Sequence, residues 1–231
     1  MRALIIFDLD GTLYSGDAPY RWYAEYIARY MDASDKIRYL KEVDAHLRGE
    51  PGVVAGDNWE AVVQLATPFI VEDSQWMRAF QKTREHMIST AEALIVPETL
   101  REFLKIWHDR LTLACATNSP EEVAVPLLDR LHLTGWFHHL ATEVGKPEGL
   151  LNFAERLWKD IPDPSRTVSV GDNYLNDIAP AEAAGWTTVH VSPRGYFPGP
   201  STLQVQSIAQ ALPFLNAWAR ERLIDKPTRL P

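Results

Sequence analysis

Ala3-Leu4-Ile5-Ile6-Phe7-Asp8-Leu9-Asp10-Gly11-Thr12-Leu13 opens the chain with an unbroken apolar run that ends on two acids and a turn glycine. An apolar run without strict alternation suits a strand buried on both faces of a parallel sheet. Stretches 111–116, 137–141, 167–170 and 187–191 read the same way, and helical patterns separate these later strands. One helix is expected after Ser119, where Ser119-Pro120-Glu121-Glu122 combines a capping box with proline at the first helical position. A second begins near Pro147 and carries Leu150, Leu151, Phe153, Ala154 and Leu157. A third runs from about Asn173 to Ala184 and stops at Gly185. The alternation predicts an α/β fold built on a doubly wound parallel sheet.

The stretch 15–95 interrupts that rhythm. It holds no convincing strand and reads as about four helices, at 20–31, 35–47, 58–71 and 74–89, with a Gly/Pro-rich break over 49–56. In the first of them Trp22, Tyr26 and Tyr30 recur every four residues and form one face, which reads as packing inside the insertion. An insertion of roughly 80 residues far exceeds an ordinary strand-to-helix connection. It predicts a helical subdomain over 15–95, joined near 15–19 and 95–97 to an α/β core made of 1–14 and 96–231. Beyond the last strand, prolines at 193, 198 and 200 precede an amphipathic helix with Ile208, Leu212, Leu215 and Trp218.

Composition removes several functional classes. Apolar residues make up 46% and charged residues 23%, values of a chain that buries an ordinary core. No apolar run approaches the roughly 18 residues of a membrane span, and the run 3–7 is shorter than the apolar part of a signal peptide, about 7–15 residues. The expectation is a soluble, cytoplasmic chain without a membrane partner. The 23 basic and 31 acidic residues leave a net charge of −8, with no run of four Lys or Arg, so nucleic acid is not the expected partner. A small anion stays compatible, because one metal ion and one lysine can reverse the local sign. The lone Cys115 excludes an internal disulfide and reads as a small buried hydrophobe, and the seven histidines show no metal-ligand spacing.

Four short patterns carry chemistry, and each falls beyond the carboxyl end of a predicted strand, where open α/β sheets bind ligands. Asp8 and Asp10 are two acids so close that they repel unless one is protonated or a cation lies between them. That points to a hard divalent cation, although Asp10-Gly11 also fits a plain turn. Thr117-Asn118-Ser119 offers hydroxyl and backbone donors at a helix start, suited to a phosphate-like anion or to ordinary capping. Lys146 in Gly145-Lys146-Pro147 can neutralise transferred charge, or stand solvated on the surface. Asp172 follows the fourth predicted strand and Asp177 lies on the helix after it, a pattern that a capped helix start also explains.

Taken together, the order acid pair, hydroxyl, lysine, acid pair resembles the haloacid dehalogenase-like (HAD) hydrolase superfamily, over nearly the whole chain. The Asp8–Leu13 block and Gly171-Asp172 through Asp177 are its specific marks, and Thr117 and Lys146 its weaker ones. The inserted helices resemble the mobile cap that many members place after the first motif. The resemblance implies a Rossmann-like core and a phosphoryl-transfer site. Asp8 is then the nucleophile that forms an aspartyl-phosphate. Asp10 protonates the leaving oxygen and later takes a proton from water. Mg²⁺ is held by the Asp8 side chain, the Asp10 carbonyl and Asp172. Thr117 and the backbone near Asn118 bind phosphoryl oxygens, Lys146 offsets charge, and Asp177 orients Lys146 or the metal's water shell.

True dehalogenases of the superfamily lack an acid at the position of Asp10, so its presence favours phosphate-ester chemistry. The expected activity is a Mg²⁺-dependent phosphatase acting on a small phosphorylated metabolite, with a cap that closes over the crevice to exclude water. A phosphomutase using the same acids and a non-catalytic binding module on this fold are the alternatives. Arg21 or Arg84 of the insertion could meet a substrate, and nothing in the sequence singles out either.

Overall fold

The computed structural model describes residues 2–69 and 72–224. Strand β1 (Leu4–Phe7) leads into four helices, α1 (Ala18–Ile27), α2 (Ala33–Leu47), α3 (Asn58–Ala66) and α4 (Asp73–Ser89). The chain continues through α5 (Glu98–Trp107), β2 (Thr112–Ala116), α6 (Glu121–Arg130), β3 (His139–Ala141), α7 (Glu148–Trp158) and β4 (Thr167–Gly171). It ends with α8 (Ala179–Ala183), β5 (Thr187–Val191), β6 (Leu203–Val205) and α9 (Ile208–Ile224).

The strands form one sheet in the order β3-β2-β1-β4-β5-β6, and every neighbouring pair is parallel. This is the doubly wound arrangement, and its strand order reverses between β1 and β4. The continuous apolarity of β1 follows from its central place, since all four of its residues are buried. On one face Leu4 and Ile6 pack against Leu150, Phe153 and Ala154 of α7. Phe7 turns the other way and meets the ring of Phe103 in α5, centroids 6.4 Å apart. The indole of Trp107 donates to Asn216 Oδ1 (2.7 Å), tying α5 to α9.

Contacts divide the chain into two units, Met1–Ser15 with Val96–Pro231, and Gly16–Ile95. The second is helical, with a core that includes Tyr20, Tyr23, Ile27, Tyr39, Val43 and Val62. Asp32 and Asp57 cap α2 and α3 by accepting from the backbone N–H groups of Asp35 and Glu60, the role their short side chains predict. Trp22 stacks on His86 (4.2 Å, 15°) and Tyr26 shares a hydrogen bond with the same imidazole. Tyr30 does not join that face. The helix expected over 20–31 ends at Ile27, and the tighter three-residue turn Ala28–Tyr30 that follows leaves the Tyr30 ring exposed.

Other boundaries also shift. The helix expected over 58–71 stops at Ala66, and positions 70–71 lie outside the described residues, as do 225–231 of the core. Strand β3 starts at His139 rather than 137. The edge strand β6 was not foreseen, because its three residues follow a proline-rich stretch and carry no apolar run. The helix expected from Asn173 opens with a wide π-type turn over Tyr174–Ile178 before α8 begins. Pro180 has no N–H to return to Asn176, which breaks the regular ladder there. Among the described residues, no helix is long and apolar enough to cross a membrane.

Candidate active site

The carboxyl ends of β1 and β4 and the segment ahead of α7 bring Asp8, Asp172, Asp177 and Lys146 into one cluster. Asp8 extends β1 by one residue, its N–H donating to Val170 O (2.9 Å), and its carboxyl is buried. Lys146, equally buried, donates through Nζ to Asp8 Oδ1 and to Asp177 Oδ1, both at 2.6 Å. The other oxygen of Asp177 accepts from the backbone N–H of Asn173 (3.1 Å), so both of its oxygens are engaged. The Thr12 hydroxyl sits 3.4 Å from Asp8 Oδ2.

Two glycines make this crowding possible. Gly11 has φ +76°, and a Cβ there would fall 2.1 Å from Asp172 Oδ2. A Cβ on Gly171 would fall 2.3 Å from Asp177 Cγ. Any other residue at either position would displace a carboxylate of the cluster.

Burial and the carboxylates of Asp177 and Asp10 push Asp8 up to about 7, against the opposing pull of Lys146. Burial works against the Lys146 ammonium, yet Asp177 and Asp8 outweigh it and hold the lysine above its ordinary value. Oxygens of Asp8, Asp172 and Asp177 lie within 4.8 Å of one another. Three carboxylates against one ammonium leave two negative charges unbalanced, in a set of hard oxygen donors. Charge and chemistry both fit a divalent cation such as Mg²⁺.

Asp10 turns away from that cluster. Its Oδ1 accepts from the Tyr14 hydroxyl and its Oδ2 from Ser119 Oγ (2.7 Å). The expected capping role of Ser119 is thereby corrected, since its hydroxyl is directed to Asp10 and Pro120 precedes α6 without a side-chain cap. Thr117 is buried, and its Oγ1 accepts from the N–H of Ser119 (3.0 Å). The Asn118 side chain clamps the main chain of Lys146, accepting from its N–H (2.8 Å) and donating to its carbonyl (3.2 Å). The phosphate role expected near Asn118 rests on the backbone, and its side chain has this separate task of fixing the lysine.

Sequence reasoning also missed His190. This buried imidazole on β5 shares a hydrogen bond between Nε2 and the carbonyl of Asp172 (3.1 Å), and burial holds it below the ordinary histidine value. Cys115 is buried, and burial pushes its thiol up, away from reactivity. In the helical unit Arg21 pairs with Asp44, and Arg84 lies buried over the rings of Trp59 and Phe80.

Comparison with known proteins adds three findings. A family model described as haloacid dehalogenase-like hydrolase matches residues 3–185. A curated phosphoglycolate phosphatase from Agrobacterium fabrum is 27% identical over 198 residues, covering 83% of this chain and 81% of the relative. Among solved structures, Bacillus subtilis YfnB, assigned to the HAD hydrolases and bound to magnesium, superposes with TM-score 0.64 at 18% identity, covering 93% of this chain and 99% of that one. The 2-haloacid dehalogenase of Pseudomonas syringae pv. Tomato superposes with TM-score 0.54 at 20% identity, covering 94% and 100%.

Proposed function

The chain belongs to the haloacid dehalogenase-like hydrolase family, and from that premise we propose that it is a Mg²⁺-dependent phosphatase that cleaves a small phosphomonoester through an aspartyl-phosphate on Asp8. The fold alone does not choose this chemistry, because a dehalogenase shares it. The observation that carries the reading is Asp10, a second acid held by the hydroxyls of Tyr14 and Ser119, two residues from the proposed nucleophile.

In the first half-reaction an Asp8 oxygen attacks phosphorus, the bond from phosphorus to the ester oxygen breaks, and Asp10 gives its proton to the departing alkoxide. In the second, water attacks the phosphorus of the acyl phosphate while Asp10 takes a proton from it. The bond from phosphorus to the Asp8 oxygen then breaks, and inorganic phosphate and the free carboxylate are restored. Thr117, with its hydroxyl proton committed to no acceptor among the described residues, can donate to a phosphoryl oxygen. Lys146 offsets the charge that builds on phosphate and nucleophile, and Asp177 and Asn118 hold the lysine in place. Asp8 and Asp172 would hold the cation together with the Asp10 carbonyl; when bound it supplies positive charge to the phosphoryl oxygens and keeps Asp8 ionised.

The helical insertion is the proposed selector of the substrate, a small cytoplasmic metabolite phosphate in this reading. Phosphoglycolate, named for the Agrobacterium relative, is the first compound to try within a panel of phosphorylated metabolites. The decisive assay is turnover of 4-nitrophenyl phosphate with Mg²⁺. Turnover that a chelator abolishes and Asp8→Asn eliminates is expected, and turnover that survives in Asp8→Asn would end the covalent reading.

A further inference from the structure

The strands of the α/β unit have a second end, and it carries an unexplained concentration of positive charge. Arg2 stands just ahead of β1, Arg110 in the turn from α5 into β2, Arg166 immediately before β4, and Arg222 near the end of α9. With Asp109 they line a cavity of about 430 Å³, a size within the range of small-molecule sites, roughly 300–1,000 Å³. Asp8, Thr117 and Asp172 leave the opposite, carboxyl ends of the same strands. Strands of four or five residues put about 13–17 Å between the two regions.

Charge accounting sets this cavity apart from ordinary surface. Four arginines line the cavity against one carboxylate, that of Asp109, and Arg222 pairs with Glu221 beside it at 2.6 Å, so positive charge is in excess there in a chain of net charge −8. Arg222 is fixed rather than loose: its Nε donates to Ser165 O (3.0 Å) and its guanidinium lies 4.7 Å over the Trp218 ring. Arg2, Arg110 and Arg166 make no ion pair with a carboxylate among the described residues. Arg166 Nε is buried and has no hydrogen-bond acceptor among the described residues.

We propose that this cavity is a second anion site, separate from the acidic cluster, that binds a small phosphate carrying several negative charges. Guanidinium groups are permanently charged planar forks that match the oxygens of a phosphate pairwise. An anion seated there relieves the mutual repulsion of arginines converging from four segments. Nothing in the inference depends on the reaction at Asp8.

Pyrophosphate is the probe, titrated calorimetrically into the whole chain at low ionic strength with a chelator present. The chelator keeps metal out of the acidic cluster, whose carboxylates then repel the probe. The expected result is saturable one-to-one binding, a melting temperature raised by pyrophosphate, and an affinity at least tenfold weaker in Arg2→Gln/Arg166→Gln. Ligand-free melting of that variant is expected to be no lower than that of the unaltered chain, since it removes repulsion. If the double variant does not fold, Arg110→Gln in the exposed turn takes its place, with a smaller but measurable loss. Lys146→Ala should leave pyrophosphate binding intact. Absence of saturable binding, an unchanged affinity in the arginine variants, or binding that disappears in Lys146→Ala would each overturn the assignment.

Discussion

The raised proton affinity of Asp8 makes the metal-free protein sensitive to pH in a direction opposite to most acidic residues. Its carboxyl is held at about 7 by burial and by two neighbouring carboxylates, against an ordinary value of 3.8. Folding therefore places a proton on Asp8 between pH 4 and 7, so its contribution to stability is complete below pH 4 and lost as the pH rises through 7. At about 1.4 kcal/mol per pH unit, the interval corresponds to a ceiling of about 4 kcal/mol. Relaxation and water penetration around a buried charge lower such figures, and on the order of 2–4 kcal/mol is expected. Asp8→Asn is neutral at every pH and nearly isosteric. With a chelator present it should match the unaltered chain only at pH 4 or below, pull ahead steadily between pH 4 and 7, and exceed it by that amount at pH 8, as read from urea unfolding curves. Adding Mg²⁺ at pH 8 should then stabilise the unaltered chain and leave the variant unmoved. A stability difference that stays constant from pH 5 to pH 8 would refute the argument, because it would mean that Asp8 is not ionising at a cost in this site.

Asp10→Asn should slow formation and breakdown of the phosphoenzyme by about 10²–10⁴ each, the usual range for a general acid–base, as rapid-quench measurements of the two steps would show. Ser119→Ala removes one hydrogen bond to a charged acceptor, worth about 1.5–3 kcal/mol, and should lower the melting temperature by several degrees and kcat roughly tenfold or more through a misplaced Asp10; an unchanged kcat would return Ser119 to a purely structural role. Asp172→Ala should raise the Mg²⁺ concentration for half-maximal activity by at least an order of magnitude without unfolding the chain, as expected for loss of an anionic ligand, and an unchanged Mg²⁺ titration would count against it. Replacing residues 16–95 by a short linker should alter the substrate profile and lower kcat while Mg²⁺ binding, followed by calorimetry, persists.

The sheet and the ends of its strands were readable because the signals are local. A continuous apolar run followed by Asp8 or by Gly171-Asp172 states both a buried strand and the group that leaves it, and the parallel topology sends those groups to one edge. The partners of these groups were not readable, because they come from distant sequence. Ser119 satisfied a local capping rule, yet its hydroxyl meets an acid 109 residues away. Asn118 was read for the backbone donors near it, and nothing local announced that its side chain clamps a backbone 28 residues downstream. His190 occupies a strand position where an apolar residue would also fit, and its partner is a carbonyl on the adjacent strand's exit. The face of α1 held for Trp22 and Tyr26, which pack on His86, and failed at Tyr30, because the helix ends at Ile27 and the tighter turn after it leaves that ring exposed.

The cluster around Asp8 and the helical unit answer to different physical demands. Hydrogen bonds from within the α/β unit hold Asp8, Asp10, Lys146 and Asp177, among them those of Thr12, Tyr14, Asn118, Ser119 and Asn173. The helical unit, in turn, has an apolar and aromatic core of its own, with Arg84 buried against Trp59 and Phe80. Each unit therefore has packing of its own to maintain, set by its own apolar residues. A chain of this design can keep its acids and lysine in fixed geometry while the insertion changes around a different metabolite. Identity of 27% to a phosphoglycolate phosphatase consequently carries more information about how this chain transfers a phosphoryl group than about which molecule brings it. The residues to compare first for substrate choice lie in 16–95, and those for reaction type lie at the ends of β1, β2 and β4.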